Sequence, residues 1–416
     1  MMTNIYIWII SFFAIAGVII RPFKVSEAIW AMTGAIILLL FGLVSLNDGL
    51  TGITKGTDVY LFLIGMMLLA ETAREEKLFD WLAAHATRMA NGSPKRLFLL
   101  IYLVGVIVTA FLSNDATAVV LTPAVAAAVK AAKVDKPLPY LYICAFIANA
   151  ASFVLPISNP ANLVIYGDHM PTLLAWLSHF LIPSVVSIVA TYVLLYITQR
   201  RNLTAKIEKN IILPMLSAGG KTAMIGIVAT AVILLVSSAL NIQLGLPTAI
   251  TGIITSAIVI FSARKNPWTV IKGVSWAVLP LVAGLFIIVE GLNKTGLTES
   301  LTAILQHSAA TNISATAWFS GLSTAFTCNL MNNLPAGLIA GNVIQAGHVP
   351  DLVKSAALIG IDLGPNLSMT GSLATILWLV ALRREGQEVS AWQFLKLGAI
   401  IMTGTLILVL LAVIYL

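Results

Sequence analysis

Four short polar stretches interrupt otherwise apolar sequence, and they hold the residues best equipped for chemistry. Ser113, Asn114 and Asp115 lie in FLSNDATAVVLTP (111–123), and Ser158, Asn159 and Asn162 in PISNPAN (156–162). Asn332 and Asn333 lie in MNNLPAGL (331–338), while Asp362, Asn366, Ser368, Thr370 and Ser372 lie in GIDLGPNLSMTGS (360–372). Amides and hydroxyls offer hydrogen bonds of both polarities. Where they sit at broken helices, the helix N-termini add free N–H groups and a partial charge of about half a unit, so a small polar solute could be held without Lys or Arg. The candidate substrate-binding residues are Ser113, Asn114, Asn159, Asn332, Asn333, Asn366, Thr370 and Ser372.

Asp115 and Asp362 are the two acids deepest in the expected membrane segments, and neither has a Lys or Arg nearby in sequence. Burial disfavours the charged form of a carboxyl group, and an acid inside a membrane segment is a functional candidate by default. Both are therefore expected to exchange protons. The plainer alternative, that Ser, Asn and Asp only cap short helices, does not require four polar breaks at matching places. Glu71 and Glu290 end matched apolar segments and are expected to anchor or link elements. Cys328 stands one helical turn before Asn332, but a lone buried Cys usually packs. Cys144 and Cys328 give no metal-ligand spacing, and no metal or cofactor is expected. No G-x-x-x-x-G-K-[ST] loop is present, so the driving force expected within this chain is an ion gradient or potential.

The elements that position these residues follow from composition. Of 416 residues, 59% are hydrophobic and 10% charged, against about a quarter charged in soluble domains. The pattern predicts an all-α polytopic membrane protein. Its net charge of +7 suggests no nucleic-acid partner, because the basic residues fall in short loops between apolar spans. Met1 to Ile20 lacks a basic n-region and a small-residue cleavage site, and reads as a first span.

Between Arg96 and Lys130 lie 33 residues with Asp115 as the one charge. Two crossings need about 20 residues each, so 95–131 is expected to be a re-entrant hairpin with its tip at 113–115. Segment 139–168 is too long for one span and is broken at Pro156 and Ser158-Asn159-Pro160. After a connector at 200–221 the order returns: a hairpin at 313–347 and a broken helix at 352–382. Glu71 and Asn114 map onto Glu290 and Asn333 with one offset of 219 residues.

The expected domains are thus a first repeat (1–199) and a second (222–416), each with five crossings and one hairpin. Five is odd, so the second repeat is expected to be inverted, giving ten crossings in all. With both termini outside, 21 of the 24 Lys and Arg fall on the cytoplasmic side. Inverted repeats with discontinuous helices are the architecture of secondary transporters, with the site where the breaks meet.

The motifs FLSNDATAVVLTP, MNNLPAGL and GIDLGPNLSMTGSLATILWL (360–379), in this order and spacing, closely resemble those of the ArsB-type arsenite and antimonite efflux permeases of the ion transporter superfamily. The resemblance covers essentially the whole chain. It implies a prokaryotic inner-membrane carrier exporting As(OH)3 by proton antiport, with a scaffold and an elevator-type transport domain. In some members a cytoplasmic arsenite-stimulated ATPase docks on the permease. Carried over, Asn114, Asp115, Asn332, Asn333, Asp362 and Asn366 match the family's motif positions. Sodium-coupled carboxylate carriers of the superfamily typically show Ser-Asn-Thr at both tips, whereas these tips read Ser-Asn-Asp and Asn-Asn-Leu.

Overall fold

The computed structural model describes residues 2–167, 170–209, 211 and 213–416. Asp168, the expected limit of the first broken helix, lies outside them. The first half runs α1 (Met2–Ile20), α2 (Glu27–Leu40), α3 (Leu46–Lys55), α4 (Thr57–Glu75), α5 (Leu78–Met89), α6 (Pro94–Phe111), α7 (Asn114–Ala116), a π turn (Thr117–Leu121), α8 (Thr122–Ala131), α9 (Leu138–Ala150), α10 (Pro160–Tyr166) and α11 (Leu173–Gln199). The second half runs α12 (Ala218–Ala239), α13 (Gly245–Ser262), α14 (Pro267–Gly273), α15 (Val278–Asn293), α16 (Leu297–Thr311), α17 (Ile313–Met331), α18 (Asn333–Gly347), α19 (Asp351–Leu363), α20 (Leu373–Arg384) and α21 (Ala391–Tyr415).

Among the described residues, seven helical stretches are long and apolar enough to cross a membrane, and α3 with α4, bent by 47°, makes an eighth where the pair is taken as one span. This is a multi-pass membrane protein. The order of elements recurs at the expected spacing: α5 and α16 begin at Leu78 and Leu297, and α6 and α17 at Pro94 and Ile313. Packing partners are exchanged between the halves. Helix α4 lies along α13 and α15 along α2, while α10 packs on α18 and α20 on α7 and the π turn. Close approach needs small residues at the crossings. A Cβ on Gly65 of α4 would run into the Thr248 carbonyl of α13, and one on Gly360 of α19 into the Gly321 carbonyl of α17.

Two boundaries differ from expectation. The apolar run 27–46 reads in sequence as one span, but α2 has 14 residues, about 21 Å of helix. Gly42 takes φ 64° and the Leu43 N–H donates to the Leu38 carbonyl at 3.0 Å, the left-handed glycine cap that ends helices. Helix α12 starts at Ala218 rather than 222, because Ser217 Oγ accepts from the Gly220 N–H at 2.8 Å. Its hydroxyl also donates to Glu76 Oε2 at 2.5 Å.

Candidate functional site

Each interruption has a local cause. Helix α6 ends at Phe111, and Ser113 restarts the chain as N-cap of α7, its Oγ accepting from the Ala116 N–H at 3.2 Å. Pro123 has no N–H for the Val119 carbonyl, and the preceding five residues widen into the π turn, a distortion frequent at functional sites. Asn159 is N-cap of α10, with Pro160 at the first helical position, where a missing N–H costs nothing. Asn332 takes φ 75° and caps α18, its Oδ1 accepting from the Leu334 N–H at 3.3 Å. Ser372 caps α20, its Oγ accepting from the Thr375 N–H at 3.1 Å.

Hydrogen bonds then join the four breaks in series. Ser158 Oγ donates to the Ala110 carbonyl at 2.9 Å, tying the first tip to the first broken helix. Asn159 Nδ2 donates to Asp362 Oδ1 at 2.5 Å, and Asn149 Nδ2 to Asn366 Oδ1 at 2.9 Å, so two buried amide bridges link the broken helices of the two halves. The Asn333 N–H donates to the Gly371 carbonyl at 2.9 Å, and Asn332 Nδ2 to the Thr370 carbonyl at 3.5 Å, tying the second tip to the second break. Asn114, Asn159, Asn332, Asn333, Asn366, Asp362 and Ser372 are all buried.

The two acids are placed differently. Asp362 is fully buried, its Oδ1 held by Asn159. Asp115 is half-buried beside Ser113 on a small cavity of about 60 Å3, which Met66, Met67 and Glu71 of α4 also line. The tip therefore faces α4 across open space while Asp362 sits inside the joined breaks. Glu290 pairs with Lys55 at 2.9 Å and Glu71 with Arg74 at 2.5 Å, so both acids make ionic links. Cys328 is buried, with Sγ 3.6 Å from the Ile361 carbonyl oxygen, and Cys144 is buried and free.

Sequence reasoning missed two members. Asn149 is the hub of one bridge, its Oδ1 accepting from Ser372 Oγ at 3.3 Å and its Nδ2 also reaching Thr375 Oγ1 at 3.4 Å. It sits alone in the apolar run LPYLYICAFIANA, and a single amide in such a run was the available signal. Asn329 donates to the Gly364 carbonyl at 2.9 Å and accepts from Ser368 Oγ at 2.6 Å. Its position near the end of α17, three residues before Asn332, was the cue.

Comparison with known proteins agrees on the class of molecule. The sequence profile of the citrate transporter family matches residues 12–360. An arsenical pump membrane protein of Yersinia enterocolitica is 31% identical over 84% of this chain and 84% of its own length. One from Escherichia coli is 30% identical over 92% of each. Among solved structures, the YdaH transporter of Alcanivorax borkumensis superposes with a TM-score of 0.56 over 88% of this chain and 86% of its own at 14% identity, which speaks to the fold alone. The chain is therefore a membrane transporter rather than an enzyme, and it belongs to the citrate transporter family, among the ArsB-type permeases.

Proposed function

We propose that this carrier exports arsenite and antimonite, as As(OH)3 and Sb(OH)3, across the cytoplasmic membrane in exchange for protons. The observation that carries the reading is the series of four joined breaks, rich in amides, hydroxyls and N–H groups, with no Lys or Arg in any of the four stretches. Such a lining suits an uncharged trihydroxy solute. The naming of the relatives as arsenical pumps supports the substrate class.

In this reading Ser113, Asn114, Asn159, Asn332, Asn333, Asn366, Thr370 and Ser372 bind the solute during the cycle, and Asp115 and Asp362 exchange protons with it. The halves 1–199 and 222–416 are inverted repeats of five crossings and a hairpin each, with both termini outside. The exchanged packing of α4, α13, α15 and α2 supports that symmetry. The joined breaks, carrying hairpins 95–131 and 313–347, move together as an elevator against α1–α4 and α12–α15. The basic connector and loops face the cytoplasm, where an arsenite-stimulated ATPase would dock.

A second reading, a proton- or sodium-coupled carrier of another oxyacid or an organic anion, is favoured by the family description, citrate transporter. Uptake of As(III) and of citrate into everted vesicles, with pH gradient and membrane potential imposed separately, decides between them. As(III) accumulation driven by an acid interior, without citrate uptake, is the expected result. Citrate uptake without As(III) uptake overturns the first reading.

A further inference from the structure

Two cavities meet at the end of α4. The inner one holds Ser113 and Asp115 of the first tip; the outer one, about 260 Å3, is lined by Arg74, Glu75, Lys77 and Asp80. Val120 lines both, Glu71 lines the inner and Arg74 the outer. The wall between them is thus partly a side-chain pair: Arg74 Nε donates to Glu71 Oε2 at 2.8 Å and Nη2 to Glu71 Oε1 at 2.5 Å. Two parallel charge-assisted bonds hold a guanidinium in one orientation.

The pair also has an alternative resting place. Arg74 Nη2 reaches Glu75 Oε1 at 2.8 Å on the more exposed side, so on leaving Glu71 the guanidinium remains held. Glu71 is fixed from behind: a Cβ on Gly273 would occupy its carboxylate oxygen. The charges lining the outer cavity balance, Glu75 and Asp80 against Arg74 and Lys77, while Glu71 stands on the inner side.

We propose that the Glu71–Arg74 pair is the gate between a cytoplasmic vestibule and the chamber of the first tip. This deepens the transport reading above and uses its orientation, but it does not depend on which solute is carried.

The test is thiol labelling of Val119→Cys, a half-buried residue of the inner cavity, in everted and right-side-out vesicles with membrane-impermeant methanethiosulfonate reagents. Cys144 and Cys328 are replaced by Ala in all samples. Removing the pair with Arg74→Gln, or displacing Glu71 with Gly273→Ala, which leaves every charge in place, is expected to speed labelling from the cytoplasmic face. The expected gain is about tenfold, equivalent to about 1.4 kcal/mol in the closed-to-open equilibrium. Labelling from the outside only, or rates unchanged in both gate variants, overturns the proposal. Faster labelling without As(III) uptake by the parent protein keeps the gate and rejects the substrate.

Discussion

Asn159 Nδ2 donates to Asp362 Oδ1 at 2.5 Å across 203 residues of chain, while the other amide atom, Oδ1, accepts the Ala161 N–H at 3.0 Å. One side chain therefore caps a half-helix of the first half and holds the buried acid of the second. An amide is required, because no hydroxyl or carboxylate offers a donor and an acceptor this far apart. Replacing Asn159 by Ala removes the donor to Asp362 Oδ1, and an unsatisfied buried polar group costs about 1–3 kcal/mol. Asn159→Ala is expected to lower the melting temperature of the purified protein in detergent. Asp362→Asn, which keeps an acceptor facing Asn159, is expected to melt near the parent yet lose uptake driven by a pH gradient. Full coupled uptake by Asp362→Asn would remove Asp362 from proton exchange.

Asp115 is predicted to separate from Asp362 on the same two measurements. It borders a cavity and is half-buried, and its replacement breaks no side-chain hydrogen bond described for the fold. Asp115→Asn should melt within a degree or two of the parent, since substitutions away from such features usually stay within about 0.5 kcal/mol. It should nevertheless abolish As(III) uptake driven by a pH gradient into everted vesicles. Retained uptake would assign Asp115 to structure alone.

The sequence made the breaks legible because charge is so scarce that 33 residues with one acid, or 35 with none, cannot be a soluble loop. Polar clusters then marked Asn114, Asn159, Asn333 and Asn366 individually. Their pairing was not legible. The 219-residue offset relates like positions of two halves, but the bridges Asn149–Asn366 and Asn159–Asp362 join unlike positions, 217 and 203 residues apart. Nor did periodicity locate the end of α2, where Gly42 terminates the helix inside an apolar run. Asn149 escaped because a lone amide among twelve mostly apolar neighbours of α9 shows its importance only once three partners surround it.

Asn149→Leu removes the donor to Asn366 and Thr375 and the acceptor for Ser372. Asn366 keeps its bond to the Phe146 carbonyl at 3.1 Å, so the break stays anchored on one side only. With about 1–3 kcal/mol for each buried group left unpaired, the variant is expected to lose several degrees of melting temperature. Uptake should fall at least as steeply as stability, because the two broken helices no longer move as one. An unchanged melting curve would show that the bridge contributes nothing.

The exchange of packing partners between halves gives a test of inversion that uses no substrate. If the repeats are inverted, Glu71 and Glu290, which occupy equivalent positions, lie at opposite membrane faces. Each has a basic partner, Arg74 at 2.5 Å and Lys55 at 2.9 Å, and Lys55 and Lys294 belong to the sparse basic set expected outside. Lys294 pairs with Asp48 and is partly exposed, so Lys294→Cys should react with an impermeant thiol reagent in right-side-out vesicles and be silent in everted ones. Arg384→Cys, at the last residue of α20 in the same half, should show the reverse. Lys294 and Arg384 lie in one repeat, and their opposite sidedness requires an odd number of crossings between them. Reaction of both from one face would mean an even number, and the expected order of one re-entrant hairpin followed by one crossing broken helix would fail.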